Sequence, residues 1–210
     1  MIIAVIAANG RSGNAFVLQA LAAGHTIRAG VRGQSFLPTH PNLITIECDA
    51  TNPEQVRALI RGSEAVASFI DHVPKSPAMV QTDAMKVLVQ VMSEVGLKRM
   101  ISLTGTGARF LGDTPSLIDR ILNIMVTLID SARMSDGKAH MEVLRASNLD
   151  WSIVRVLKLS KGKHNGHRVR LSATGPAELL TPRDRVAAAV LQLLETGEFV
   201  HQAPIITGTD

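Results

Sequence analysis

Apolar positions along this chain come as short continuous runs alternating with runs at helical spacing. Ile2 to Ala8 is apolar throughout, the pattern of a strand buried on both faces. Phe16, Val17, Ala20 and Leu21 follow at helical spacing and stop at Gly24, and Thr26 to Arg32 predicts a second strand. Leu43 to Glu47 predicts a third. Asn52-Pro53-Glu54-Gln55 then reads as a helix start, with Asn52 as N-cap and Gln55 closing a capping-box-like pair. Val56, Leu59 and Ile60 supply that helix's buried face. Ala65 to Ile70 predicts the fourth strand; Ser76-Pro77 opens a helix whose stripe is Val80, Ala84, Val87, Leu88, Val91 and Val95, stopped by Gly96. Arg99 to Leu103, a helix over Gly137 to Ser147, and Asp150 to Val156 continue the alternation. Thr181-Pro182-Arg183-Asp184 caps a last long helix, and Pro204 to Thr207 adds a final short strand.

The order predicts an α/β protein: a single-domain Rossmann fold over residues 1–210, a doubly wound, mostly parallel sheet with helices on both faces. No repeat, linker or low-complexity segment divides it. Leu117 to Ile129 is unusually apolar around its circumference and too short to span a bilayer, so it is expected to pack in the core, with a pocket wall or subunit contact as alternatives.

Between the first strand and helix stands AANGRSG, Ala7 to Gly13, a phosphate-binding turn in form. Gly10 lets the backbone approach a pyrophosphate, Gly13 lets the helix pack close to the strand, and the helix N-terminus directs free N–H groups at the anion. Ala7 replaces the usual first glycine, which requires that it keep a negative φ. The second strand ends without the carboxylate that would accept from a ribose hydroxyl and offers Arg28 and Arg32 instead, on one face by strand alternation. Arg32 at the strand end is the better placed for a 2′-phosphate, and Arg11 can close on it from the turn, so the expected cofactor is NADP(H). Asp49 either meets the adenine end or merely terminates its strand. Asp71 and His72 follow the fourth strand, at the edge where open α/β sheets bind ligands; a lone His there is more often a loop residue than a catalyst.

Composition changes the picture little. With 46% hydrophobic and 19% charged residues the chain is ordinarily globular, and a net charge of +4 favours anionic ligands without naming nucleic acid. One tryptophan, five phenylalanines and no tyrosine make base-stacking platforms improbable. Lys158 to Arg170 is basic and free of acids: a loop that attracts an anionic substrate or cofactor phosphates, or a solvated surface segment. The opening apolar run has no basic leader and meets the glycine turn at once, so a signal peptide is not expected. The single cysteine, Cys48, cannot form an internal disulfide; both points favour the cytoplasm.

AANGRSG, Val31-Arg32, Cys48 to Thr51 and LRASNLDWSIVRV at Leu144 to Val156 together resemble the atypical short-chain dehydrogenase/reductase superfamily over nearly the whole chain. Within it the sequence is similar to the small NAD(P)H-binding proteins: biliverdin-IXβ/flavin reductases, quinone reductases and NmrA-like redox regulators. The resemblance implies that Asn9, Gly10, Arg11, Ser12, Gly13, Arg32 and Asp49 contact the cofactor's phosphates and adenosine. It places Ile70 and Asp71 beside the cofactor's middle, and Leu103, Thr104, Val156 and Leu157 nearer the nicotinamide.

Two departures bear on catalysis. Many short-chain reductases use a tyrosine whose phenol donates a proton beside a lysine; this sequence has no tyrosine, so that mechanism is excluded. Gly137 stands where several relatives carry a lysine, and Lys138, one residue late, is turned by roughly 100 degrees on a helix. The expectation is an NADPH-dependent reductase of a flavin, quinone or similar conjugated small-molecule acceptor, with Thr104 and Lys138 as candidate catalytic groups and no metal or membrane. Its alternative is a non-catalytic NADP(H)-binding redox sensor acting through a protein partner. A nucleic-acid binder using the basic loop ranks last. A monomer or homodimer fits either of the first two.

Overall fold

A computed structural model describes residues 1–73 and 75–210. The elements run β1 (Ile2–Ile6), α1 (Arg11–Ala22), β2 (Thr26–Val31), β3 (Leu43–Glu47), α2 (Pro53–Ile60), β4 (Ala65–Ser68), α3 (Val80–Val95), β5 (Arg99–Gly105), α4 (Leu117–Ile129), α5 (Ser131–Arg145), β6 (Asp150–Val156), β7 (Leu159–Ser160), β8 (Val169–Ser172), β9 (Thr181–Pro182), α6 (Arg183–Thr196) and β10 (Ile205–Thr209). Eight strands form one sheet in the order β3-β2-β1-β4-β5-β6-β10-β8, parallel except for the β10–β8 edge. Strand order reverses between β1 and β4, which opens a crevice at the carboxyl edge, where such sheets bind ligands.

Strand alternation divides the core into two layers. Ile3 and Val5 of β1 face the side covered by α1 and α6, packing with Phe16, Val17, Val186 and Val190; Ala4 and Ile6 face Leu59, Met85, Leu88 and Leu144 on the other. Helices α1 and α6 run in the same direction: the Gln19 amide donates to the Asp184 carbonyl at 2.8 Å, and farther along both segments His25, just past α1, meets Glu195 near the end of α6 at 3.0 Å. Their N-termini therefore lie at the same edge of the sheet.

Several element ends differ from expectation, each for a local reason. Helix α3 begins at Val80 because the Ser76 hydroxyl accepts from Val73 N–H at 3.0 Å, closing a turn, while the helix's first amides are capped from α5. Gln55 accepts from Asp49 N–H at 2.6 Å rather than closing on Asn52, which caps α2 alone through Glu54 and Gln55 N–H. Asp130 caps α5 through Arg133 N–H at 3.0 Å, so that helix starts six residues before Gly137. Thr181 makes no cap for α6; with Pro182 it pairs in parallel with Leu159 and Ser160.

Helix α4 corrects the expectation of core packing. Only Asp119 of its 13 residues is buried, while Leu128 is 82% and Ile129 80% exposed. The helix follows the carboxyl end of β5 and its principal neighbour is α5, and one neighbouring helix covers only one side of its surface, leaving most of its apolar side chains exposed.

Ala7 corrects a second. Its φ is +59°, so the residue occupies the left-handed conformation that the missing glycine would hold. Its carbonyl accepts from Gly10 N–H at 3.0 Å, closing the turn. A non-glycine residue there costs roughly 1–2 kcal/mol, partly offset by the stiffer unfolded chain, and Ala7→Gly is expected to stabilise the protein by up to about 1 kcal/mol in urea unfolding.

Candidate functional site

The turn Ala7 to Gly13 sits at the carboxyl end of β1, at the point of strand reversal. Gly13 is indispensable to its geometry: a Cβ there would lie 2.4 Å from the Ala7 carbonyl oxygen and 3.0 Å from Ala8 Cα. No side chain caps α1 and its first turn holds no acid, so the N–H groups of Arg11, Ser12 and Gly13 have no protein acceptor among the described residues. These groups fit a pyrophosphate. Asn9 supports the turn from the side, its amide donating to Gln34 O at 2.8 Å and its oxygen accepting from Phe36 N–H at 3.1 Å, which ties down the segment after β2.

The structure gives Arg28, on β2, and Arg32, just past it, different surroundings. Arg28 donates to the carbonyls of Leu59 and Ala58, at 2.7 and 2.8 Å, and so caps the C-terminus of α2. Arg32 is exposed past the strand end and joins no ion pair among the described residues. Asp49 stands near it. Hydrogen bonds from Thr51, backbone and hydroxyl, hold the Asp49 carboxyl below the usual carboxylate range, and Arg32 adds to this. Cys48 next to it is buried, and burial with the neighbouring Asp49 charge pushes its thiol up to about 11, which leaves it protonated and unreactive.

Sequence reasoning missed Arg183. It opens α6 beside the phosphate turn, its guanidinium donating to Ser160 O at 2.9 Å; burial and the nearby Arg11 charge lower its pKa, while Asp71 opposes them. The parallel course of α1 and α6, invisible in the sequence, brings the two arginines together.

Farther along the edge, Ile70 accepts from the Gln81 amide, while Leu103 and Thr104 of β5 lie beside Val154 and Arg155 of β6. Val156 accepts from Thr106 N–H at 3.0 Å, and Leu157 follows it. Gly137 packs directly against this edge: a Cβ on it would meet Thr104 Oγ1 at 2.8 Å. A lysine there would displace Thr104. Lys138 is exposed and lines a cavity of about 460 Å³ between α4 and α5, together with Gly107, Arg109, Asn123 and Met134.

Asp136, also missed, is the buried anchor of this region. Its carboxylate accepts from Gln81 N–H and Thr82 N–H, both at 2.8 Å, from the Thr82 hydroxyl at 2.5 Å, and from His72 Nε2 at 2.8 Å. Burial pushes its pKa up, but these bonds outweigh burial and hold it below the usual range. His72, read in the sequence as a loop residue, thus has a buried carboxylate partner.

Beneath Thr104, His140 is buried against the Ser102 hydroxyl at 2.8 Å, and burial pushes its pKa down to about 4, against smaller opposing pulls from Asp136 and the Gly137 carbonyl. The unfolded chain therefore binds the extra proton first. As pH falls below about 6.5 native stability drops, until the folded-state imidazole itself protonates near 4; the expected loss between pH 7 and pH 5 is about 2 kcal/mol. His140→Gln, which does not titrate, should remove most of that slope in urea unfolding at the two pH values.

Among the described residues no cluster of potential metal ligands occurs, and no helix is long and apolar enough to cross a membrane. The fold has many solved counterparts. The oxidoreductase ylbE from Lactococcus lactis aligns with a TM-score of 0.81 at 17% identity, covering 100% of this chain and 92% of its own. A short-chain dehydrogenase/reductase from Veillonella parvula, solved in complex with NADP, aligns at 0.78 and 18% identity, covering 98% and 94%. The anaerobillin reductase ChuY from Escherichia coli aligns at 0.76 and 17% identity, covering 98% and 97%. No curated protein matches the chain in sequence. The NAD(P)H-binding family matches it over residues 7–197, from the turn that begins at Ala7 to the glycine that ends α6, and the chain is therefore a member of the NAD(P)H-binding family.

Proposed function

We propose that this protein is an NADPH-dependent reductase that passes hydride to a flavin, quinone or similar conjugated acceptor. The observation that carries the reading is the cavity of about 460 Å³ one residue from the Gly137–Thr104 contact, lined by Gly107 just past the carboxyl end of β5. Bound NADPH supplies the hydride. The chain's own task is then positioning and charge. The N–H groups of α1, with Arg11 and Arg183, hold the pyrophosphate; Arg32, following a strand that itself ends in no acid, selects NADPH over NADH. Asn9 keeps the Arg32 segment in place. Thr104 donates a hydrogen bond to charge developing on the acceptor, and His72, oriented by Asp136, is the group able to supply a proton. Lys138 acts at the cavity and not through a tyrosine.

The test is NADPH and NADH oxidation with FMN, quinones and linear tetrapyrroles. Turnover with NADPH, and loss of the preference for NADPH by about tenfold or more in Arg32→Ala, is the expected result. No turnover with any acceptor would sink the reading. The exposed face of α4 favours a second one, an NADP(H)-dependent regulator that contacts a partner protein; tight, redox-selective cofactor binding without turnover would support it. Under either reading the protein acts in the cytoplasm, in keeping with a lone buried thiol, as a monomer or homodimer.

A further inference from the structure

The cavity between α4 and α5 has a definite chemical character. Its walls are largely apolar, with Ile124 and Leu128 from α4 and Met134 from α5, and the thioether of Met134 lies so close to Gly107 that a Cβ there would sit 2.3 Å away. Set into these walls are three cations. Arg109 is neutralised by Asp119, which is itself buried, although Arg109 Nη1 is buried without a hydrogen-bond partner. Arg120 and Lys138 form no ion pair among the described residues. The cavity thus couples an apolar slot to two uncompensated positive charges, one on each helix.

We infer that this cavity is a binding site for an amphipathic anion: a flat apolar body lies against Ile124, Leu128 and Met134, and its carboxylate or phosphate is held between Arg120 and Lys138. Resting on the proposed reductase function, this narrows the acceptor class to conjugated molecules that carry an acidic substituent. The apolar walls alone would accept neutral and charged acceptors alike. The two cations discriminate, because a charge-assisted bond strengthens binding only when the ligand brings the opposite charge. Met134 suits the apolar side, since an unbranched thioether repacks against ligands of different outline.

Matched pairs differing only in the acid test this on the NADP⁺-loaded protein. FMN and riboflavin share a ring system and differ in a phosphate; biliverdin and its dimethyl ester differ in two carboxylates. Affinity is read by flavin fluorescence and tetrapyrrole absorbance. At least one charged member is expected to bind about tenfold or more tighter than its neutral mate, and the pair that discriminates tells phosphate from carboxylate. Lys138→Met with Arg120→Met should bring that ratio to near one, and Lys138→Glu should reverse it; NADPH affinity checks that each variant is folded. Equal affinities within both pairs, no binding of any of the four, or a preference that survives the double replacement would overturn the inference. Failure of the reductase reading looks different. Charge-selective binding without NADPH oxidation leaves the site standing and removes the reaction, whereas NADPH oxidation at a ratio of one keeps the reaction and removes the site.

Discussion

Replacing Asp113 by alanine is expected to destabilise the protein by about 3–5 kcal/mol, the usual cost of stripping one partner from a buried ion pair. Asp113 and Arg155 form such a pair, two parallel bonds of 2.5 and 2.7 Å, and the guanidinium is 0% exposed. Arg155 also donates to the carbonyls of Ala203 and Ala108, at 2.7 and 3.1 Å, so one side chain ties β6 to the segment before β10 and to the segment after β5. Without Asp113 a full positive charge remains in the interior with only neutral carbonyls around it. Differential scanning calorimetry should show a melting temperature lower by roughly 10 °C for a chain of this size. The double replacement Asp113→Leu with Arg155→Met should recover part of the loss, because it removes both charges. A single variant that melts like the parent would mean that the pair does not carry the loop. The same loop brings Gly107 and Arg109 to the cavity, so under the proposed reductase function activity in Asp113→Ala is expected to fall faster with temperature than cofactor affinity.

The second large effect is expected at Gly13. Gly13→Val places a Cβ 2.4 Å from the Ala7 carbonyl oxygen, a contact that backbone must relieve by opening the turn. In the proposed binding mode the N–H groups of α1 then no longer converge on the pyrophosphate. Losing two charge-assisted bonds, at about 1.5–3 kcal/mol each, weakens NADPH binding by 100-fold or more. Isothermal titration calorimetry reads the affinity, and thermal melting without cofactor separates it from lost stability. Ala7→Gly, six residues earlier in the same turn, is expected to act in the opposite sense on stability, so the two variants together show whether the turn has the left-handed geometry described.

Much of this protein was legible from local pattern. Strands β1 to β6 and β10 and the helices fell on the predicted apolar runs and helical stripes, because burial of β1 on both faces demands Ile3 to Ile6 and α1 needs only Phe16, Val17, Ala20 and Leu21 on one side, whereas the short β7, β8 and β9 lie in segments read as a basic loop and a helix cap. The phosphate turn was legible for a stronger reason: Gly10 and Gly13 answer steric demands within a few residues of themselves. Ala7 was misread because the turn imposes its φ whatever residue stands there. The apolar surface of α4 was misread because hydrophobicity around a helix says what it would bury and not whether neighbours are present to cover it.

The candidate site was legible on its phosphate side and obscure on its chemical side. Sequence spacing put Arg32 at the end of β2, but it could not distinguish Arg28, whose use as the cap of α2 depends on where Ala58 and Leu59 end. It also placed Lys138 one position off the expected lysine, without showing that Gly137 leaves no room for one beside Thr104.

By itself the amino-acid order determined the fold class, the place of the dinucleotide turn and the absence of a tyrosine mechanism, since each depends on residue types and short-range geometry. Only the tertiary structure decided that Arg183 joins Arg11, that Asp136 anchors both α3 and His72, and that Arg155 meets Asp113. Those contacts join residues 42 to 172 positions apart, and they exist because the sheet order and the parallel run of α1 and α6 bring distant segments to one edge.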